Sequence, residues 1–214
     1  PKGVSMPFGY LGTTPNQQVK NSGVFSVSEA LQLQKDGEWG GSLQLIDTVS
    51  ISGSTTNIDF LSLQESNYDI HQIQFNVRWG SGVNNEYLAL RVSTNGGSSF
   101  KSSGYSNARQ YCGVTNSFGE LKGSSEGKVK NIAYGDAGDY IAGYIYCYNL
   151  GNSSTYSFFS SHSAPTWESA GAWSYFGSSV RTTAETNNAL RLFAQSGDGA
   201  FDAGTVKLYG VKQL

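Results

Sequence analysis

Three carboxylate pairs in this 214-residue chain could do acid–base chemistry: Asp136 with Asp139, Glu168 with Glu185, and Asp198 with Asp202. Hydrolysis of a glycoside would need two such groups flanking the scissile bond, one as acid and the other as base or nucleophile. The first and third pairs stand in Asp136-Ala137-Gly138-Asp139 and Asp198-Gly199-Ala200-Phe201-Asp202. Both segments have turn composition, in which an aspartate accepts hydrogen bonds from its own backbone. Strand-connecting turns are therefore the plainer expectation. Calcium would accept the same oxygens, but neither segment has the spacing of a known calcium loop, so no metal is expected.

The two histidines, His71 and His162, have no neighbouring ligand or nucleophile in sequence. His71 is expected on the polar face of a strand and His162 in a loop, Ser160–Pro165. No Gly-x-Ser-x-Gly elbow orients a serine, and no glycine-rich phosphate loop is present. Ser93-Thr94-Asn95-Gly96-Gly97-Ser98-Ser99-Phe100 resembles the Asp box of sialidase-type propellers, with Asn95, Ser99 and Phe100 replacing its aspartate, threonine and tryptophan. It occurs once and without a blade period. An Asn-Gly-Gly turn, with residues that tolerate positive φ, accounts for it. These features together predict no catalytic residues and no cofactor.

Aromatic residues offer a binding surface instead. Trp167, Trp173, Tyr175 and Phe176 crowd the region following Tyr156–Phe159, and Tyr105 and Tyr111 lie close to Asn107, Arg109 and Gln110. Exposed rings of this kind stack on sugars, whereas buried ones fill a core or a subunit interface. Core or interface is the leading expectation. Trp167, Trp173, Tyr175, Tyr105, Arg109 and Tyr111 are carried as the candidate glycan or partner surface.

Composition bounds the class. A net charge of −2 and scattered lysines (Lys122, Lys128, Lys130) give no electrostatic case for nucleic acid. With 13% aromatic and 14% charged residues, the chain is not of disordered type. No apolar run reaches the ~20 residues of a membrane helix, and Pro1–Leu11 lacks the apolar stretch of a signal peptide. Met6 is compatible with an internal start, but the sequence does not decide that. Cys112 and Cys147 are two isolated thiols for which neither a bridge nor a metal is expected.

The elements divide in two. Residues 1–41 read as an extended arm with one short helix. Ser26-Val27-Ser28-Glu29 is a capping box, Ala30–Lys35 continues the helix and Asp36-Gly37 stops it. Such a helix needs a surface to dock on, so Phe8, Tyr10, Leu11, Val24, Phe25, Leu31, Leu33 and Trp39 are expected to serve anchoring and assembly.

Residues 42–214 read as β almost throughout. Alternation marks Leu43–Ile51, Ile58–Leu61, Ile70–Trp79 and Tyr87–Val92, the last expected to pair with Ile70–Trp79. Further strands are expected at Val129–Tyr134, Tyr140–Tyr148, Tyr156–Phe159, Trp173–Val180, Ala189–Phe193 and Thr205–Val211, while Tyr105–Lys128 is expected to be a long loop. About ten strands separated by regularly spaced turns, with no helices between them, predict an all-β antiparallel sandwich or jelly roll.

The succession of Gln17–Val27, Trp39-Gly40-Gly41-Ser42-Leu43, Leu45–Val49, Ile58-Asp59-Phe60, Tyr87–Ser93 with Asn95-Gly96-Gly97, and Gly204–Lys212 resembles small virion structural proteins of tailed phages, marine cyanophage type. The resemblance implies a non-enzymatic exterior component of tail-fibre or host-adhesion type, with capsid decoration and a carbohydrate-binding module as alternatives. It also implies a homo-oligomer, trimeric by preference, joined to other virion proteins through the arm. A host surface glycan is a further implied partner, and nucleic acid and membrane are not. The implied location is the virion exterior after assembly in the host cytoplasm.

Overall fold

A computed structural model describes residues 26–28, 43–114, 118–167 and 171–211, with Thr166 and Trp167 described by backbone alone. The arm residues Phe8, Tyr10, Leu11, Val24, Phe25, Leu31, Leu33 and Trp39, the expected helix 30–35, and Glu168 lie outside the described residues. Within the arm, Val27 and Ser28 are helical, and the Ser26 and Ser28 hydroxyls lie 3.1 Å apart.

The body, Gly41–Leu214, is a unit of its own. Its strands are β1 (Leu43–Thr55), β2 (Asn57–Phe60), β3 (Ile70–Trp79), β4 (Glu86–Ser93), β5 (Tyr105–Gly113), β6 (Phe118–Glu126), β7 (Tyr134–Gly135), β8 (Tyr140–Tyr148), β9 (Ser157–Trp167), β10 (Gly171–Arg181), β11 (Ala189–Ala194) and β12 (Phe201–Val211). They form an eight-stranded sheet, β1-β12-β3-β8-β9-β10-β5-β6, and a four-stranded sheet, β2-β11-β4-β7. All pairings are antiparallel. The protein is an all-β sandwich.

Setting aside β5, β6, β9 and β10 leaves eight strands in two four-stranded sheets, β1-β12-β3-β8 and β2-β11-β4-β7. In that set the first strand pairs with the last (β1–β12), the second with the seventh (β2–β11), the third with the sixth (β3–β8) and the fourth with the fifth (β4–β7). This nested pairing is a jelly roll. The remaining strands are two inserted hairpins, β5–β6 between β4 and β7 and β9–β10 between β8 and β11. They join side by side through β9–β8 and β10–β5, extending one sheet by four strands.

Burial follows the period of two. In β3, Ile73, Phe75, Val77 and Trp79 point inward while Gln74 and Asn76 are exposed. Trp79 stacks on Phe201, ring centroids 4.5 Å apart, and both side chains are fully buried. Ile58, Phe60, Leu88, Leu90, Leu190 and Leu192 face them from the smaller sheet. Each such side chain contributes ~1.5–3 kcal/mol by leaving water.

Several expectations are corrected. Tyr87–Val92, within β4, belongs to the smaller sheet and pairs with β11 and β7, whereas β3 pairs with β12 and β8. The two segments lie in opposite layers because both bury apolar residues against the same core. Residues 105–128 are mostly the β5–β6 hairpin and not a loop. Its serines and glycines concealed the alternation.

Residues 129–134 form no continuous strand. Val129 makes one bridge to Leu90, and side chains take up the neighbouring backbone groups: Asn107 Oδ1 accepts from Lys130 N at 3.0 Å and Gln195 Oε1 from Asn131 N at 2.9 Å. The alternation expected through Leu43–Ile51 breaks at a bulge between Leu45 and Asp47. Leu43 and Leu45 therefore face solvent while Ile51 faces the core.

Candidate functional site

Of the aromatic residues singled out in sequence, Tyr105, Tyr111, Trp173 and Tyr175 fall on the inner face of the added strands and Phe176 on the outer face, while only the backbone of Trp167 is described. Register sets Tyr175 of β10 opposite Tyr111 of β5 and Trp173 opposite Gly113. The rings of Tyr111, Trp173 and Tyr175 stack with centroids 5.6–6.4 Å apart. Tyr87 and Tyr134, from the smaller sheet, meet Tyr175 at 5.9 and 6.4 Å. Tyr175 is buried, Tyr111 and Trp173 half-buried. Burial raises the pKa of Tyr87 and of Tyr175 above the usual phenol value.

Tyr105 and Arg109 lie further along the same inner face, 0% and 3% exposed. They are corrected from surface candidates to interior residues, as is Tyr175 at 3%. All three occupy odd positions that the strand pleat turns toward the smaller sheet. Tyr105 accepts a hydrogen bond from Val92 N at 3.1 Å, and desolvation pushes its phenol up to about 12. Arg109 donates to the Ser161 hydroxyl and, at 3.1 Å, to Ser179 Oγ. Burial without a carboxylate pulls its guanidinium down to about 10. The stem of Arg109 crosses Gly177, where an added Cβ would stand 2.4 Å from Ala108 O and 2.8 Å from Arg109 Cγ.

The carboxylates are held apart from one another or tied to local structure. Asp202 is bidentate with Arg78 at 2.7 and 3.0 Å, and Glu185 binds Arg181 and Lys101. Asp139 Oδ2 accepts from Asp136 N within their own turn, and Asp136 Oδ1 accepts from Asn85 N, which ties that turn to the segment before β4. Among the described residues no group of three or more His, Cys, Asp or Glu could hold a metal. Ser93–Phe100 is a self-closed turn: Ser93 Oγ accepts from Gly97 N and Asn95 Oδ1 from Ser99 N, with Gly96 and Gly97 at φ of +65° and +87°.

Cys112 is exposed on β5 and Cys147 buried on β8, unpaired. Burial drives the Cys147 thiol far above its usual range. His71 is corrected from the polar to the apolar face. Its odd number places it with Ile73, fully buried, with Nε2 donating to Leu63 O at 2.8 Å. His162 is corrected from loop to strand β9, and its Nε2 lies 2.9 Å from Ser174 Oγ.

The outer face of the eight-stranded sheet holds an arrangement that the sequence reading missed. Register lines up Tyr144, His162, Phe176 and Gln110 across β8, β9, β10 and β5. Four residues away along the strands, Tyr148, Phe158, Val180 and Ser106 form a second row. Between them runs a row of small residues: Ser160, Ser178 and Ala108 follow Tyr146, and Lys122 of β6 closes the row. Two ridges therefore bound a trough roughly 13 Å across from ridge to ridge and roughly 14 Å long, from the spacings of residues and strands.

Two hollows of about 550 and 390 Å³ occupy this face and share Ser160. A third, of about 370 Å³, adjoins at Tyr144 and is lined by Gln74, Asn76, Thr205 and Lys207. Tyr144, Phe158 and Phe176 are 39%, 45% and 38% exposed, which is unusual for aromatic side chains that could have been buried. Tyr144 meets the His162 ring edge-on at 6.0 Å, and Tyr146 and Tyr148 stack at 6.2 Å. One signal could have located the trough: Tyr144, Tyr146 and Tyr148 alternate with the buried Ile145 and Cys147, so they must share the solvent face.

Compared with family models, curated proteins and solved structures, the chain matches none.

Proposed function

We propose that this chain is a non-enzymatic display protein of the virion exterior, of tail-fibre or host-adhesion type. The jelly roll is its scaffold, and the added strands together with the neighbouring β8 carry its recognition face. The observation behind this reading is the exposed aromatic and hydroxyl surface built by Tyr144, His162, Phe176, Tyr148 and Phe158 on a rigid sheet. A scaffold that devotes two hairpin insertions to widening one sheet has its added surface to present. The phage-like sequence layout supplies the setting, with trimers anchored through the arm. Carboxylates engaged in turns and ion pairs fit a binding role better than hydrolysis.

The test is the location and copy number of the chain in purified particles, by mass spectrometry and antibody labelling. A few trimers at the tail agree with the proposal. Hundreds of copies over the shell would replace it with capsid decoration, and absence from particles would end it.

A further inference from the structure

We infer that the trough on the outer face of the eight-stranded sheet binds an extended, uncharged oligosaccharide. This rests on the display reading and gives it a ligand class. The walls are aromatic, with Tyr144 and Phe176 on one side and Phe158 on the other, and each presents an apolar ring surface with one edge in water. The floor is made of Ser160, Ser178 and Ala108. Small side chains there leave depth, and the serine hydroxyls both donate and accept. His162, held near Ser174, adds a ring nitrogen at the rim.

Rings along the walls and hydroxyls along the floor match the two faces of a pyranose, whose C–H side is apolar and whose hydroxyls lie at the edge. No charged residue lines either of the two hollows along the trough. The nearest charges, Glu120 and Lys122 on β6, pair with each other at 2.6 Å. Lys122 closes the β6 end of the row already paired with Glu120, and Lys207 lines the adjoining hollow, so neither cation stands between the aromatic ridges to offset the desolvation of an anionic glycan. The aromatic walls would suit a protein partner as well, but the floor of serines does not, because serine is depleted where protein surfaces meet. Hollows of 390 and 550 Å³ are in the size range of small-ligand sites, and the roughly 14 Å length suits a short run of linked sugars.

The full chain would be screened on an array of neutral and of sialylated or sulfated glycans. Gluco-, galacto- and manno-tetraoses would then be titrated by calorimetry. Expected is binding to at least one neutral oligosaccharide, about tenfold or more weaker in Tyr144→Ala and in Phe176→Ala. Binding should be abolished by Ser178→Trp, which fills the trough from an exposed position, and retained by Tyr156→Ala, which lies outside it. Melting curves would confirm that each variant is folded.

Binding to no neutral glycan, preference for the anionic ones, or indifference to Ser178→Trp would each overturn the inference. Dissociation of an oligomer by Ser178→Trp would also overturn it, by placing a second copy on this face. Particle location separates this outcome from the wider reading: a chain on the virion surface without glycan binding sinks the ligand alone. A glycan binder that is absent from particles sinks the virion assignment alone.

Discussion

The two halves of the eight-stranded sheet face the same smaller sheet with opposite chemistry. Over the jelly-roll strands the inner face is apolar: Ile73, Phe75, Val77 and Trp79 on β3, Val206 and Leu208 on β12, Ile141 and Ile145 on β8. Over the added strands the aromatics Tyr105, Phe159 and Tyr175 share it with many polar groups: Asn107 and Arg109 on β5, Ser161 and Ser163 on β9, Ser179 and Arg181 on β10, all buried. The first half is held by apolar area removed from water, which is non-directional. The second is held by hydrogen bonds that must all be made, since an unmade one inside a dry interior costs about 1–3 kcal/mol.

Asn107 shows how the polar half works. Its amide donates to Lys128 O at 3.1 Å and accepts from Lys130 N at 3.0 Å, and Ser163 donates to Ile132 O at 2.7 Å. Segment 128–132 is thereby tied down by side chains as well as by the backbone bonds of Val129 and Ile132 to Leu90 and Leu88 of β4. A hairpin added to a finished jelly roll gains little new apolar cover, so specific polar ties fix its register and its outer face. The outer trough depends on that register: a slip of one residue would turn its aromatic rows inward.

This contrast predicts the largest loss in the apolar half. Trp79→Ala removes a fully buried indole from its stack on Phe201 and should cost about 3–5 kcal/mol, measured by urea unfolding. A cost below about 1 kcal/mol would mean that the jelly roll does not carry the fold. Next comes the seam between the added hairpins. Gly177→Ala would put a methyl 2.4 Å from Ala108 O and 2.6 Å from Arg109 Cα, so β5 and β10 must separate. The expected cost is about 2–3 kcal/mol, at the upper end of overpacking, with β5–β6 losing amide-exchange protection before β3 does.

A smaller effect tests whether the buried cation is tied by its hydroxyls. Ser161→Ala strips Arg109 of one acceptor where no carboxylate compensates, and should cost about 1.5 kcal/mol. Arg109→Met removes the charge together with its desolvation and should cost less. The reverse order would show that the guanidinium itself stabilises this region beyond its burial cost.

The difference between the halves also explains what could be read from the chain. The apolar strands announce themselves by alternation, as Ile73-x-Phe75-x-Val77-x-Trp79 does, and the jelly roll follows from counting such strands and turns. The polar half has serine, asparagine and glycine on its inward positions. Tyr105–Gly113 and Ser160–Pro165 therefore resemble loops, and Tyr105 and Arg109 resemble surface groups, although the pleat buries them. Strand order was hidden for a separate reason: β4 and β3 are neighbours in sequence and occupants of opposite sheets, a choice made by long-range packing. The trough needed the jelly-roll strand β8 in register with β9, β10 and β5 from two separate insertions, and no local pattern reports that. Within a single strand, the Tyr144-x-Tyr146-x-Tyr148 alternation was legible and pointed to the right face.

His71 yields the smallest effect and ties stability of the apolar half to pH. It is the one titratable ring among the buried residues of β3, with Nε2 donating to Leu63 O and Nδ1 without a partner. Burial lowers its pKa below 6.5, outweighing the carbonyl bond and the more distant charges of Glu65 and Asp69, which act to raise it. On acidification the unfolded chain takes up a proton near pH 6.5 while the folded chain does not. Stability is therefore full above that pH and falls as pH drops through the window between 6.5 and the lower folded value. Between pH 7 and pH 6 the loss from this group is at most about 0.7 kcal/mol. His71→Gln removes the titration, so the wild-type minus variant difference in urea-unfolding free energy should narrow by that amount over the interval. A difference that stays level from pH 7 to pH 5.5 would mean that the folded protein admits a charged imidazole into the core. The apolar half would then be wetter than its burial indicates, and the division between the two halves would lose its basis.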